Sequence, residues 1–340
     1  MRVPLTPLPL FAVALLALAG GLLGWNGLAV AQDSASPTGR IVVPRGATLW
    51  SILPANGAEQ ALASGPNTTL ILDAALSPDG SRAVFARLNL PSRSDPGGSD
   101  LYVVPTSGGD PTLLLAHDAP GATLTTPIWS RDGTSILYTY TPYVLGVPNA
   151  ETLPRIERIA VSGGAPQVVV REATAAAPSP DGRLIVYLKS TDRGDALWLA
   201  NADGSDAHEV LPASRFLGLA YPRISPDGSQ IAVAATIDLP TPPGPGAPPG
   251  PAVPPGPFDW RPAASAHGLP WDIWLMSLDG SNLRRLTYLV EDDPSLAWSP
   301  DGQWIAIQGG YGLTLVEPGS SRTNRISRQE AFGAIDWARE

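Results

Sequence analysis

One four-residue phrase recurs along the chain: Ser77-Pro78-Asp79-Gly80, Ser130-Arg131-Asp132-Gly133, Ser179-Pro180-Asp181-Gly182, Ser225-Pro226-Asp227-Gly228 and Ser299-Pro300-Asp301-Gly302. Successive copies start 53, 49, 46 and 74 residues apart. A period of this size marks a repeat architecture and limits the fold more than any other feature. The phrase suits a tight turn. Proline at the second position presets φ, aspartate suits the third, and glycine tolerates positive φ at the fourth. Strand-like residues flank the copies, as in Leu72–Leu76 before and Ala83–Ala86 after the first. Each copy therefore reads as a hairpin.

A second pattern follows every hairpin: a strand, a glycine turn and another strand. Examples are Leu101-Tyr-Val-Val, Gly108-Gly109 and Leu113-Leu-Leu, or Ile273-Trp-Leu-Met, Gly280 and Arg285-Leu-Thr. Each unit then holds four strands, here a, b, c and d. Four-stranded units of about 45–50 residues are the sequence mark of a β-propeller. The two ends complete the count. Residues 40–62 supply strands b, c and d with no strand a before them, and Ala334-Ile-Asp-Trp337 resembles the strand a found elsewhere. The reading is all-β: a six-bladed propeller over 40–340, closed by a sixth blade with three N-terminal strands and one C-terminal strand. Closure removes exposed sheet edges, which an open sandwich of hairpins leaves bare.

Composition narrows the chemistry. The 340 residues include 35 Gly and 38 Pro, no Cys and three His. Lack of Cys removes disulfides, thiolate metal sites, cysteine nucleophiles and a lipidated N-terminal cysteine. A net charge of −9 makes a poor general ligand for nucleic acid, whose phosphates need clustered cations. No G-x-S-x-G, paired-histidine motif or Gly-rich phosphate loop occurs. The chain is read as non-enzymatic, without cofactor or metal. The alternative is an enzyme, such as a propeller hydrolase or lyase, or a small-ligand or metal binder using the central pocket.

Residues 1–31 have a short positive end, an apolar stretch and an Ala29-Val30-Ala31 site, as in a secretory signal. The competing reading is an uncleaved membrane anchor. Either places the rest outside the cytoplasm, periplasmic or secreted, behind a flexible lead-in at 32–39. The long fourth gap holds an insertion at 238–270. Ten of its residues 240–257 are Pro and four are Gly, which suits extended polyproline-type backbone rather than a core.

The segments Trp298-Ser-Pro-Asp-Gly302, Trp304-Ile-Ala-Ile307 and Asp272-Ile-Trp-Leu-Met276 resemble the WD-like propeller repeat of TolB-type proteins. The resemblance covers roughly residues 40–340. It implies a six-bladed propeller that docks protein partners of the cell envelope. The family's N-terminal α/β domain has no counterpart before residue 40, nor is there the hydrolase domain that accompanies similar propellers in prolyl-oligopeptidase-like enzymes.

Topology puts the a–b and c–d turns on one rim and the b–c and d–a connections on the other. All the long segments fall on the second rim, and function concentrates on loops held by a rigid scaffold. The candidate binding residues there are His117, Asp118, Tyr143, Phe216, Trp260, Trp271, Asp292 and Asp293. The phrase residues Asp79, Gly80, Asp132, Gly133, Asp181, Gly182, Asp227, Gly228, Asp301 and Gly302 are read as structural turns. The expected partner is a protein or peptide of the envelope, bound by a monomer.

Overall fold

In the computed structural model the described residues are 36–142, 153–236, 270–289 and 291–339. The signal or anchor segment, half of the lead-in, nearly all of the proline-rich insertion, Tyr143 and Trp260 lie outside them. The described residues contain no helix long and apolar enough to cross a membrane.

Six four-stranded antiparallel sheets account for all the strands among the described residues. Blade one is β4 (Thr69–Leu76), β5 (Arg82–Asn89), β6 (Gly98–Pro105) and β7 (Thr112–Leu115). Blade two is β8 (Thr123–Trp129), β9 (Ser135–Thr141), β10 (Arg155–Ala160) and β11 (Gln167–Arg171). Blade three is β12 (Thr174–Pro178), β13 (Leu184–Thr191), β14 (Gly194–Asn201) and β15 (His208–Leu211). Blade four is β16 (Leu219–Ile224), β17 (Gln230–Ala235), β18 (Asp272–Ser277) and β19 (Arg284–Arg285). Blade five is β20 (Ser295–Trp298), β21 (Ile305–Gly309), β22 (Gly312–Val316) and β23 (Thr323–Ser327). Blade six takes β24 (Asp336–Ala338) from the C-terminal side and β1 (Arg40–Arg45), β2 (Thr48–Ile52) and β3 (Glu59–Ser64) from the N-terminal side. Its join is antiparallel, with Ile41 opposite Trp337 and Val42 opposite Asp336.

The inner strands follow one another around the ring as β4, β8, β12, β16, β20 and β24, and β24 returns to β4. Short strands rich in Ala, Val, Ile and Leu line this path, so the sheets pack face to face and the core lies between blades. Tryptophans stitch neighbouring blades together. Trp129 Nε1 donates to Ala75 O at 3.2 Å, and Trp298 Nε1 donates to Arg223 O at 3.3 Å. Each indole thus buries a large apolar area while its one polar atom stays satisfied.

Strand d of blade four departs from the repeat. The sequence predicts pairing over Arg285-Leu-Thr, but β19 is only two residues long. Thr287 Oγ1 accepts the Ile273 N–H at 2.9 Å and donates to Asp272 Oδ1 at 2.8 Å. A side-chain hydroxyl therefore continues the ladder where backbone pairing ends.

The inner strands carry a register shift in blades one to four. In blades two, three and four the residue four before the phrase serine has positive φ: Thr126 (47°), Ala175 (53°) and Tyr221 (49°). Such a conformation costs a non-glycine residue on the order of 1 kcal/mol, so each site needs compensation from its surroundings. Sideways hydrogen bonds to the adjacent blade supply it for two of them. Thr126 N–H reaches Asp73 Oδ2 at 2.8 Å, and Ala175 N–H reaches Thr139 Oγ1 at 3.0 Å.

Candidate functional sites at the two mouths of the channel

The phrase turns form one rim. In each, the aspartate Oδ1 accepts the phrase serine's hydroxyl and the backbone N–H two residues on. For Asp132 these are Ser130 at 2.6 Å and Thr134 at 3.0 Å. The serine Oγ in turn accepts the N–H five residues on, as Ser130 does from Ser135 at 2.9 Å. Glycine closes the turn with φ of 69° to 74° in all five copies. These hydrogen bonds stabilise the ionised carboxylate and hold Asp79 and Asp132 down to about 2; the serine hydroxyl is the largest cause. Aspartate, serine and glycine at these positions spend their polar groups within the turn.

The same rim opens into a cavity of about 280 Å³ at the channel axis, and all six blades contribute to it. Its wall includes Pro78, Pro180, Pro226 and Pro300 from the phrases and the indoles of Trp129, Trp298 and Trp337. Arg131, Arg223, Asp336 and Arg339 supply its charge.

The inner strands carry several titratable groups, of which Arg223 and Asp336 line this cavity. Asp73 gives Oδ2 to the Thr126 N–H and Oδ1 to the Ala334 N–H at 2.7 Å. Burial nevertheless pushes its carboxyl up, against those bonds and the pull of Arg223. Burial also pushes Asp336 up, opposed by Arg223 and the backbone N–H groups of Leu76 and Trp337. Desolvation lowers Arg223, with Asp336 and Asp73 resisting. Tyr221 lies well above its usual value, first through burial and then through Asp73 and Asp293. Arg223 therefore feels two acids of the inner strands, Asp73 and Asp336, and Asp293 feels Asp73.

That other mouth belongs to the long-loop rim, and its predicted site residues meet different fates. His117 is tethered rather than poised: Nδ1 lies 2.6 Å from Asp100 Oδ1, which also accepts the His117 N–H. Asp118 accepts the Tyr140 hydroxyl at 2.7 Å, and that pairing with burial pushes the phenol to about 12. Phe216 is a correction. It is fully buried, with its ring edge-on to Trp274 at 5.0 Å, so it belongs to the core rather than to a binding surface. Loop residues flank it, but its side chain turns inward between blades. Trp271 is partly buried and pairs through its backbone with Glu291.

The acidic run 291–293 is split by the fold. Glu291 points inward at 3 % exposure and accepts the Tyr311 N–H at 3.2 Å, while Asp293 faces the mouth. In that concave setting, loss of water and the charges of Asp292 and Asp73 push the Asp293 carboxyl up. Among the described residues, no three of His, Asp or Glu gather closely enough to hold a metal ion.

Exposed apolar side chains distinguish the rims. Among the described residues, nine large hydrophobics are exposed, and seven lie on or beside the long-loop rim: Leu70, Leu90, Leu153, Leu217, Tyr288, Tyr311 and Phe332. The other two, Leu113 and Val168, sit on outer strands β7 and β11. Tyr288 is 75 % exposed under the Arg285 guanidinium, and Tyr311 is 59 % exposed. The loops that carry Tyr311 and Phe332 meet through the Ala331 N–H, which reaches Gly309 O. Side-chain burial cannot be read from composition, so the sequence carries little sign of these three residues.

Six four-stranded antiparallel blades around an axial channel define a six-bladed β-propeller. More particularly, the described domain is a TolB-like propeller. TolB from Acinetobacter baumannii superposes with a TM-score of 0.62 at 18 % identity, over 89 % of this chain and 67 % of that one. A putative TolB from Agrobacterium tumefaciens gives 0.50 at 20 % identity, over 74 % and 79 %. A chain of a nidogen/laminin complex gives 0.58 at 12 % identity, over 88 % and 98 %. At these identities the likeness is one of fold. No protein-family model and no curated protein matches the sequence.

Proposed function

We propose that this chain is an exported, non-enzymatic propeller that binds a protein or peptide partner of the cell envelope through its long-loop rim. The observation that carries the reading is the gathering of exposed apolar side chains on that rim, centred on Tyr288, Tyr311 and Phe332. Exposed apolar side chains concentrated on one rim suit protein association, and aromatic residues are enriched at the energetic centres of interfaces. The bound state of a nidogen/laminin propeller, named as a complex, and the TolB-like fold support the same class. Export rests on the Ala29-Val30-Ala31 pattern, with the mature chain starting at Gln32.

The test is crosslinking capture from the native envelope by the parent chain and by a Tyr288→Ser/Tyr311→Ser/Phe332→Ser variant. Arg131→Ser, on the opposite rim, serves as control. Loss of a specific partner in the triple variant alone supports the reading. Equal capture by all three proteins overturns the assignment of the rim, and a full-length cytoplasmic chain overturns export.

A further inference from the structure

The channel mouth on the phrase-turn rim is separate from the proposed partner surface and differs from it in chemistry. Arg223 is its distinctive member. It is 9 % exposed, lines the cavity, and comes from the inner strand of blade four. Its Nη1 donates to Pro222 O at 3.0 Å, but its Nε has no hydrogen-bond partner. An unpaired donor on a buried guanidinium is expensive, because desolvation removes its water without replacement. Native interiors seldom leave such groups unmet.

The carboxylates near Arg223 do not meet this donor. Asp336 Oδ2 accepts the Leu76 N–H at 2.9 Å, and no Arg223–Asp336 ion pair falls within 4.0 Å. Asp73 gives both oxygens to the backbone of Thr126 and Ala334. Around the cavity wall, the guanidinium groups of Arg131, Arg223 and Arg339 outnumber the single carboxylate of Asp336. The rest of the wall is proline rings, indoles and short apolar side chains.

We infer that this mouth is a binding pocket for a carboxylate carried on a small apolar body, with Arg223 as its anchor. A carboxylate entering the pocket is a charge-assisted acceptor for the part of Arg223 that lines the wall, the Nε itself being closed off, and its body packs on indole and proline. Arg131 and Arg339 at the lip add attraction and draw the anion in. A volume of about 280 Å³ holds a single-ring acid or the last residue of a peptide. The shared chemistry is the carboxylate, and free acid and peptide C-terminus are its two possible sources.

The test uses the full exported chain and titration calorimetry. Benzoate and benzamide form one pair of probes; N-acetylphenylalanine and N-acetylphenylalaninamide form the other. Saturable binding of at least one acid, about tenfold or more tighter than its amide, is expected. A preference for benzoate identifies a free acid, and a preference for N-acetylphenylalanine identifies a chain end. Arg223→Lys keeps the positive charge but loses the planar fork, so acid binding should weaken about tenfold with folding retained. Arg131→Ala, a change at an exposed residue, should weaken it several-fold. No saturable binding of either acid, equal binding of acids and amides, or unaltered acid binding by Arg223→Lys and Arg131→Ala overturns the inference. Loss of the Tyr288, Tyr311 and Phe332 side chains should leave acid binding unchanged, so this result and the partner-capture result can fail independently.

Discussion

Asp73 Oδ1 accepts the backbone N–H of Ala334 at 2.7 Å across 261 positions of sequence. Oδ2 of the same carboxylate accepts the Thr126 N–H at 2.8 Å. One side chain thus ties blade one to the blade after it and to the segment that leads into the closing strand. The charge pays a desolvation penalty, yet both its oxygens are used by groups that have no other partner in view.

Removing that carboxylate should be costly. Asp73→Ala leaves the N–H groups of Thr126 and Ala334 unmet at the ring's inner wall, where each lost bond costs about 1–3 kcal/mol. Denaturant unfolding should show a loss of about 2–5 kcal/mol relative to the parent. A midpoint unchanged within error would show that water or local rearrangement satisfies both amides.

Acid should weaken the phrase turns. Asp79 and Asp132 are held down to about 2 in the folded chain, against an ordinary value near 3.8. A depressed carboxyl stabilises the fold above its unfolded value, and that contribution disappears as pH falls from about 4 to about 2. Asp73 and Asp336 act in the opposite sense: their raised values penalise the folded state as pH rises above 3.8, and protonation relieves that penalty. Urea midpoints measured from pH 5 down to pH 2.5 should therefore fall less steeply in Asp132→Asn than in the parent. Parallel curves would remove the turn carboxylates as the source. Because Asp132 is exposed, solvent screening keeps the difference small.

Two glycines of the same φ class should respond differently to a methyl group. At Gly333 (φ 102°) an added Cβ would lie 1.5 Å from Leu72 O, a contact that the inner ring cannot absorb. At Gly228 (φ 74°) an added Cβ meets nothing within 4 Å. Gly228→Ala should cost about 1 kcal/mol, the conformational term alone, whereas Gly333→Ala should prevent stable closure. Comparable melting temperatures for the two variants would contradict this.

The closing strand should be needed for solubility. Deleting residues 334–340 exposes the edge of β1, which pairs with β24 through Arg40, Ile41 and Val42. Bare edges recruit other strands. Light scattering should report association of the shortened chain at concentrations where the parent does not associate, and unfolding should lose its single cooperative step. A monodisperse, cooperatively unfolding product would refute the role given to β24.

Much of this fold was legible because propeller turns repeat in the chain itself. Ser-Pro-Asp-Gly, or Ser-Arg-Asp-Gly in blade two, marks the a–b turn of blades one to five, and the unmatched strands at the two ends imply the shared blade that Ile41 and Trp337 form. The channel was harder to read. Its residues occupy fixed repeat positions, but their chemistry changes from blade to blade: Asp73, Thr126, Ala175 and Tyr221 share one position. A signal did exist two residues before the phrase serine. There Arg223 and Asp336 stand where other blades have Ala75, Ile128, Ala177 and Ala297, so opposite charges are written into equivalent slots. Phe216 misleads because its neighbours are loop residues while its ring fills an inter-blade gap. Exposure of Tyr288, Tyr311 and Phe332 depends on how adjacent loops fold over one another, which no local pattern encodes.

The shared sixth blade also imposes a schedule. Strands β1, β2 and β3 are made first, but their fourth partner, β24, is made nearly three hundred residues later. During all that synthesis Ile41 and Val42 have no inner neighbour, and Asp73 waits for the amide of Ala334. Contacts of such long sequence separation form slowly and leave strand edges open to wrong partners. Until β24 has docked the propeller is an unclosed arc, so its completion is tied to the arrival of Asp336–Ala338.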